Sequence, residues 1–93
     1  MVIGLLELSL SLPEAHSLKD KRSILRRLKD RVRNRINISV AEVDKQDLWQ
    51  AAELAFVTVA ADQVLANQRL AGAQRMVESE PRCVLLHVRT EFI

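Results

Sequence analysis

Nine of the chain's fourteen basic side chains fall between Lys19 and Arg35. They are Lys19, Lys21, Arg22, Arg26, Arg27, Lys29, Arg31, Arg33 and Arg35, opposed locally by Asp20 and Asp30 alone, so this stretch carries a net +7. The other five basic and ten acidic residues leave the remainder at −5, and the overall +2 conceals that separation. A charge block of this kind draws a polyanion where the net charge would not. Its chemistry is phosphate binding, in which Lys and Arg release counterions with little sequence preference. Lysines near a helix N-terminus oppose the macrodipole, so local stability does not account for them. Two other readings stand beside nucleic acid: an acidic protein surface, and a solvated face whose charges pair with carboxylates elsewhere in the chain.

The remaining reactive side chains are few. His16 and His87 are the only histidines, and they stand far apart in the sequence with no metal-ligand spacing. His16 precedes the basic run, where it could titrate near neutrality or shape the turn. Cys83 is the single cysteine, which excludes an internal disulfide framework and a cysteine-based metal cluster. It reads as a small buried hydrophobe. Trp49 is the lone tryptophan. It could anchor a partner, cap the end of a sheet or close a homodimer. No P-loop, dinucleotide fingerprint or nucleophile elbow is present. The expectation is a protein that is not an enzyme and takes no metal or other cofactor.

Period and punctuation place these residues on elements. Residues 2–12 alternate, with Val2, Gly4, Leu6, Leu8, Leu10 and Leu12 on one face and Ile3, Leu5, Glu7, Ser9 and Ser11 on the other. Pro13 ends this strand. Ser17 is a helix N-cap with Asp20 in the capping-box position. Ile24, Leu25, Leu28, Val32 and Ile36 then form an apolar stripe. At about 100° per residue, Lys19, Arg22, Arg26, Lys29 and Arg33 line the opposite, solvent side. Arg27 and Arg31 flank the core, and Lys21 points near the apolar stripe, from which it is expected to snorkel. The helix exits over 34–37.

Residues 38–43 and 52–60 read as strands joined by a polar hairpin, Asp44-Lys45-Gln46-Asp47. Asp62 caps a second helix carrying Ala66, Leu70, Ala73 and Val77 on its inner face. Gly72 weakens that helix by about 1 kcal/mol relative to alanine, and Pro81 ends it. Residues 83–92 form a fourth strand, with Leu85, His87, Arg89 and Glu91 alternating against Val84, Leu86, Val88 and Phe92. The order βαββαβ predicts one α+β domain over 1–93, with the ferredoxin-like fold: a four-stranded antiparallel sheet and two helices on one face. The open face, with Ile3, Leu5, Leu85 and His87, is too apolar to stay fully wet. That predicts a cover, most simply a second copy, so Ile3, Leu5, Trp49, Leu85 and His87 are candidate partner or dimer contacts.

Base stacking on the sheet is not expected. That mode needs surface aromatics, and Phe56 and Phe92 read as core. Acylphosphatases share this element order, but their chemistry needs a loop of phosphate-holding amides before the first helix. Here Pro13-Glu14-Ala15-His16-Ser17 brings no glycine, one residue without an N–H and a repelling carboxylate. The N-terminus lacks the basic flank of a signal peptide. No apolar run approaches the roughly 18–20 residues that a membrane helix needs. The composition fits a cytoplasmic protein without a membrane partner.

Two blocks carry a family likeness: His16-Ser17-Leu18-Lys19-Asp20-Lys21-Arg22, and Ser39-Val40-Ala41-Glu42-Val43-Asp44 through Gln46-Asp47-Leu48-Trp49-Gln50. Over essentially its whole length the chain resembles the YlxP-like family of bacterial proteins (domain of unknown function 503). The resemblance implies a ferredoxin-like domain and a gene neighbourhood of translation initiation and ribosome maturation factors. It implies no reaction and no ligand. The function expected is a non-catalytic accessory protein that binds ribosomal RNA or a ribosomal particle through Lys19, Arg22, Arg26, Arg27, Lys29, Arg31 and Arg33. The alternative is a homodimeric interaction module working through the open sheet face and Trp49. A small-molecule regulatory domain would need a pocket at a dimer interface.

Overall fold

The central strand explains the layout. The structure, a computed structural model, describes every residue from Met1 to Ile93. Its elements are β1 (Val2–Ser11), α1 (Leu18–Arg35), β2 (Ser39–Asp44), β3 (Ala51–Ala60), α2 (Gln63–Glu78) and β4 (Val84–Phe92). The strands form one sheet in the order β2-β3-β1-β4, every pairing antiparallel. β1 is bonded on both sides, to β3 and β4. Leu6, Leu8, Leu10 and Leu12 all point inward with at most 1% of their surface exposed. Fully burying each contributes roughly 1.5–3 kcal/mol.

Both helices lie on that inner face. Ile24, Leu25, Leu28 and Val32 of α1 and Leu70, Ala73 and Val77 of α2 join the β1 leucines, Leu54 and Phe56 in one core. The predicted inner positions of α2, Ala66 included, are all buried. α2 comes close to the sheet because Gly4 has no side chain: a Cβ there would stand 3.1 Å from Leu70 Cδ1.

Both caps form. Ser17 Oγ accepts from the Asp20 amide at 3.0 Å, and Asp62 Oδ1 accepts from the Leu65 amide at 2.9 Å. The return bond of the first cap is displaced by one residue: the Asp20 carboxylate accepts from the His16 amide, at 3.1 Å. Asp20 therefore fastens the chain entering the helix rather than the cap residue itself.

β4 departs from simple alternation. Ser9 faces His87, but the next residue, Leu10, faces Leu85, so the register slips at Leu86. One extra residue reverses the faces on either side of a bulge. Leu85, expected on the open face, lies opposite inward-pointing Leu10 and packs against the core. Val84, opposite Ser11, takes the open side instead, and Leu86 is 64% exposed.

Candidate functional site

The cationic face of α1 comes first, because its geometry separates the readings left by the sequence. Five of the predicted residues, Lys19, Arg22, Arg26, Arg27 and Lys29, have no carboxylate within salt-bridge distance and donate no side-chain hydrogen bond. All but the half-buried Lys29 are exposed. The other two are tied into the protein. Arg31 stands 3.7 Å from Glu80, and Arg33 lies 3.6 Å from Asp30 while donating to the Val40 carbonyl at 3.0 Å. A face neutralised by its own acids would have paired most of these charges. Between Lys19 and Lys29, α1 instead presents five unpaired cations away from its buried stripe.

Lys21 belongs to a different device. It does not snorkel but is 1% exposed, with Nζ 2.6 Å from Glu42 Oε2. The same ammonium donates to the carbonyls of Lys45 and Leu48, both at 2.7 Å. Two carbonyls take hydrogen bonds from the ammonium, and the Glu42 carboxylate balances its charge although Oε2 accepts no hydrogen bond; together they make burial tolerable where an unpaired charge would be expelled. Glu42 reaches it because Glu42 pairs with Leu54 and so shares the inner face of the sheet. The loop over 45–50 is thereby pinned from beneath. Within it Lys45 adopts φ 61°, left-handed backbone unusual for a lysine. Gln50 adds two bonds from its amide nitrogen, to the carbonyls of Pro13 and Ala15, each at 3.1 Å.

This pinned loop displays Leu48 and Trp49, 51% and 52% exposed. Trp49 is therefore not a core residue, and its exposed ring has the amphipathic character of an interface anchor. The open face of the sheet brings together Ile3 and Leu5 with their β3 partners Val59 and Val57. His87, opposite Ser9, stands exposed on the same face. Charged residues interrupt the apolar surface: Arg89 contacts Glu7 at 2.9 Å and Glu91 at 2.8 Å, and Lys45 contacts Glu53 at 2.9 Å. Burial pushes the Glu53 carboxyl up, but hydrogen bonds from Lys45 and Ser9 outweigh it and leave it below the usual range.

The other reactive groups are not assembled. His16 is exposed at the helix entry, and no three His, Cys, Asp or Glu side chains gather at metal-binding distance. Burial drives the Cys83 thiol up to about 11, which leaves almost no thiolate at neutral pH. No helix is long and apolar enough to cross a membrane. Sequence reasoning omitted Arg35 from the cationic surface, although Arg27, Arg31 and Arg35 follow one another at four-residue spacing. It also missed Arg69 and Arg75, whose closeness to α1 depends on how the helices pack.

Comparison with known proteins agrees with this geometry at the level of family and fold. The model of a family described as "Protein of unknown function (DUF503)" matches residues 3–90. A Bacillus subtilis (strain 168) protein described as "Uncharacterized protein YlxP" is 32% identical over 91 residues, covering 98% of this chain and 99% of that protein. Among solved structures, a de novo designed protein with ferredoxin fold, determined by solution NMR, superposes with a TM-score of 0.62 at 20% identity, covering 98% of this chain and 88% of that one. The de novo designed protein Foldit4 gives 0.59 at 12% identity, covering 98% and 97%. At such identities the likeness concerns the fold alone.

Proposed function

The chain belongs to the DUF503 family, and from that premise we propose that it is an accessory protein, without catalysis of its own, that binds ribosomal RNA through α1. The observation that carries this reading is the unpaired state of Lys19, Arg22, Arg26, Arg27 and Lys29 on an exposed helix face. Cations left without protein partners are available to phosphate oxygens, and releasing the counterions of the RNA drives association. The choice of ribosomal RNA, rather than any polyanion, rests on the gene neighbourhood that the family implies. Surface aromatics are scarce, so affinity comes from charge and helix shape and discriminates weakly among base sequences. The test is binding of a labelled, structured ribosomal RNA fragment. Arg22→Glu/Arg26→Glu/Lys29→Glu, at side chains that make no ion pair or hydrogen bond within the protein, is expected to abolish binding, and unchanged affinity would refute the assignment.

The open sheet face supports a second reading, a homodimer or protein adaptor. Its support is the exposure of Val57, Val59 and Val84 on that face, at 38%, 57% and 47%. Association of that kind is dominated by apolar burial and insensitive to salt. Light scattering over a wide concentration range decides whether the chain pairs with itself: a constant monomer mass removes the homodimer.

A further inference from the structure

A groove of about 630 Å³ runs between the C-terminal end of α1 and the length of α2. Four arginines line it, Arg31 and Arg35 from α1 and Arg69 and Arg75 from α2, and no carboxylate does. Their states differ in a useful way. Arg31 has the distant Glu80, at 3.7 Å. The Arg69 guanidinium donates to Thr58 Oγ1 at 3.1 Å and to the Val59 carbonyl at 2.8 Å, so it is held in place by neutral acceptors that leave its charge uncompensated. Arg35 and Arg75 have no hydrogen-bond or ion-pair partner for their side chains. Fixed and free cations thus face one space.

The groove also has a shape that costs the helix something to maintain. Gly72 sits in the interior of α2, where glycine is unfavourable. A Cβ at that position would stand 3.1 Å from Ile36 Cδ1 and 3.8 Å from Arg75 Nη2. The missing side chain lets Ile36 approach and leaves the Arg75 guanidinium lying beside the floor. That floor is apolar, from Ile36, Leu65 and Met76, while Asn37 and Gln68 add amide groups at the rim. Guanidinium planes, an apolar floor and amides together suit a flat base attached to phosphate. The α1 macrodipole disfavours an anion near Arg35, but by less than one charge-assisted guanidinium–phosphate bond gains.

We propose that this inter-helix groove is a binding site for one nucleotide carrying more than one phosphate contact, either a free nucleoside polyphosphate or a nucleotide of a bound RNA strand. The site is separate from the stripe on α1, since Arg35, Arg69 and Arg75 lie outside the stripe.

Three probes are titrated into the intact protein by NMR amide shifts and calorimetry: inorganic tripolyphosphate, adenosine triphosphate and the labelled ribosomal RNA fragment. Arg35→Glu/Arg75→Glu alters the groove, with Arg35→Gln/Arg75→Gln as a milder pair and circular dichroism as the folding check. Arg22→Glu/Arg26→Glu alters the stripe. The groove variants are expected to lose on the order of 100-fold in affinity for adenosine triphosphate, about tenfold per guanidinium, with ligand-induced shifts at Gly72 and Met76 disappearing. The stripe variant keeps that affinity. If the small anions bind and RNA affinity is unaffected by the groove variants, the source is a free nucleotide. If only the RNA weakens, the source is the strand. The proposal is overturned if neither small-anion nor RNA affinity responds to the groove variants. Retention of RNA affinity by the stripe variant would instead count against the α1 assignment and leave the groove standing.

Discussion

Lys21 shows how much a single side chain can decide. Its ammonium is surrounded by Glu42 and the carbonyls of Lys45 and Leu48, all within 2.7 Å. Removing one partner of a buried pair costs about 3–5 kcal/mol, because the other is left uncompensated. Glu42 keeps some contact with solvent, so Lys21→Met is expected at the lower end, near 3 kcal/mol, in urea unfolding. Glu42→Gln leaves the ammonium, 1% exposed, without its counter-charge and should cost at least as much. A negligible loss for Glu42→Gln would mean that the two loop carbonyls alone hold the charge. The position of Lys21 beside Ile24, Leu25 and Leu28 was legible from helical spacing. Its burial was not, because its acceptors lie 24 and 27 residues further on. A lysine beside an apolar stripe snorkels by default, and only the hairpin folded over it supplies a reason to stay inside. Ser17 and Asp62 were readable for the opposite reason: a cap involves residues three positions apart and needs no tertiary knowledge.

Among the elements, β1 and α2 followed their sequence periods throughout, while β4 did not. A strand with one buried and one open face writes its register into its pattern. β4 contains Val84, Leu85 and Leu86 in succession, and three apolar residues in a row do not say which one is extra. The bulge at Leu86 settles that by turning Leu85 inward. It also interrupts an edge strand, as does the irregularity between Glu42 and Asp44 on β2, the other edge. Bulged edges with an inward-pointing charge such as Glu42 resist pairing with foreign strands. The junction of α2 and β4 depends on Glu80, only 5% exposed, whose carboxylate takes bonds from Arg82 at 2.8 and 3.2 Å. The hydrogen bond from the Arg82 side chain holds its carboxyl below the ordinary value of 4.5, against the upward pull of burial. A carboxyl that titrates lower in the folded chain contributes its stability above the unfolded value. That contribution is lost as pH falls through the folded value. Glu80→Gln should therefore lower stability at neutral pH and flatten its decline below about pH 4.5 in thermal melts. An unchanged acid limb would show that Glu80 is not the group responsible.

At the scale of the whole molecule, the cations and the apolar surface lie on opposite sides. Lys19, Arg22 and Arg26 face outward from the helical layer, while Val57 and Val59 lie on the far side of the sheet. On the proposed reading, an anionic strand on one side and a protein surface on the other would not compete. The charge separation and the element order were both present in the sequence. The pairing state of each cation was not, because Asp30 and Glu80 engage Arg33 and Arg31 only once the helix and the turn are in place. Nor could spacing alone have brought Arg35 and Arg75 to one groove. The measurement that tests the central claim is the salt dependence of binding to the structured ribosomal RNA fragment, for the unaltered protein and for Arg22→Glu/Arg26→Glu/Lys29→Glu. Five unpaired cations reaching phosphates predict that log affinity falls against log salt with a slope of about −4, at 0.7–0.9 per phosphate contact, and that the variant loses binding. A slope near zero, or a variant that binds as tightly as the original, would contradict the account.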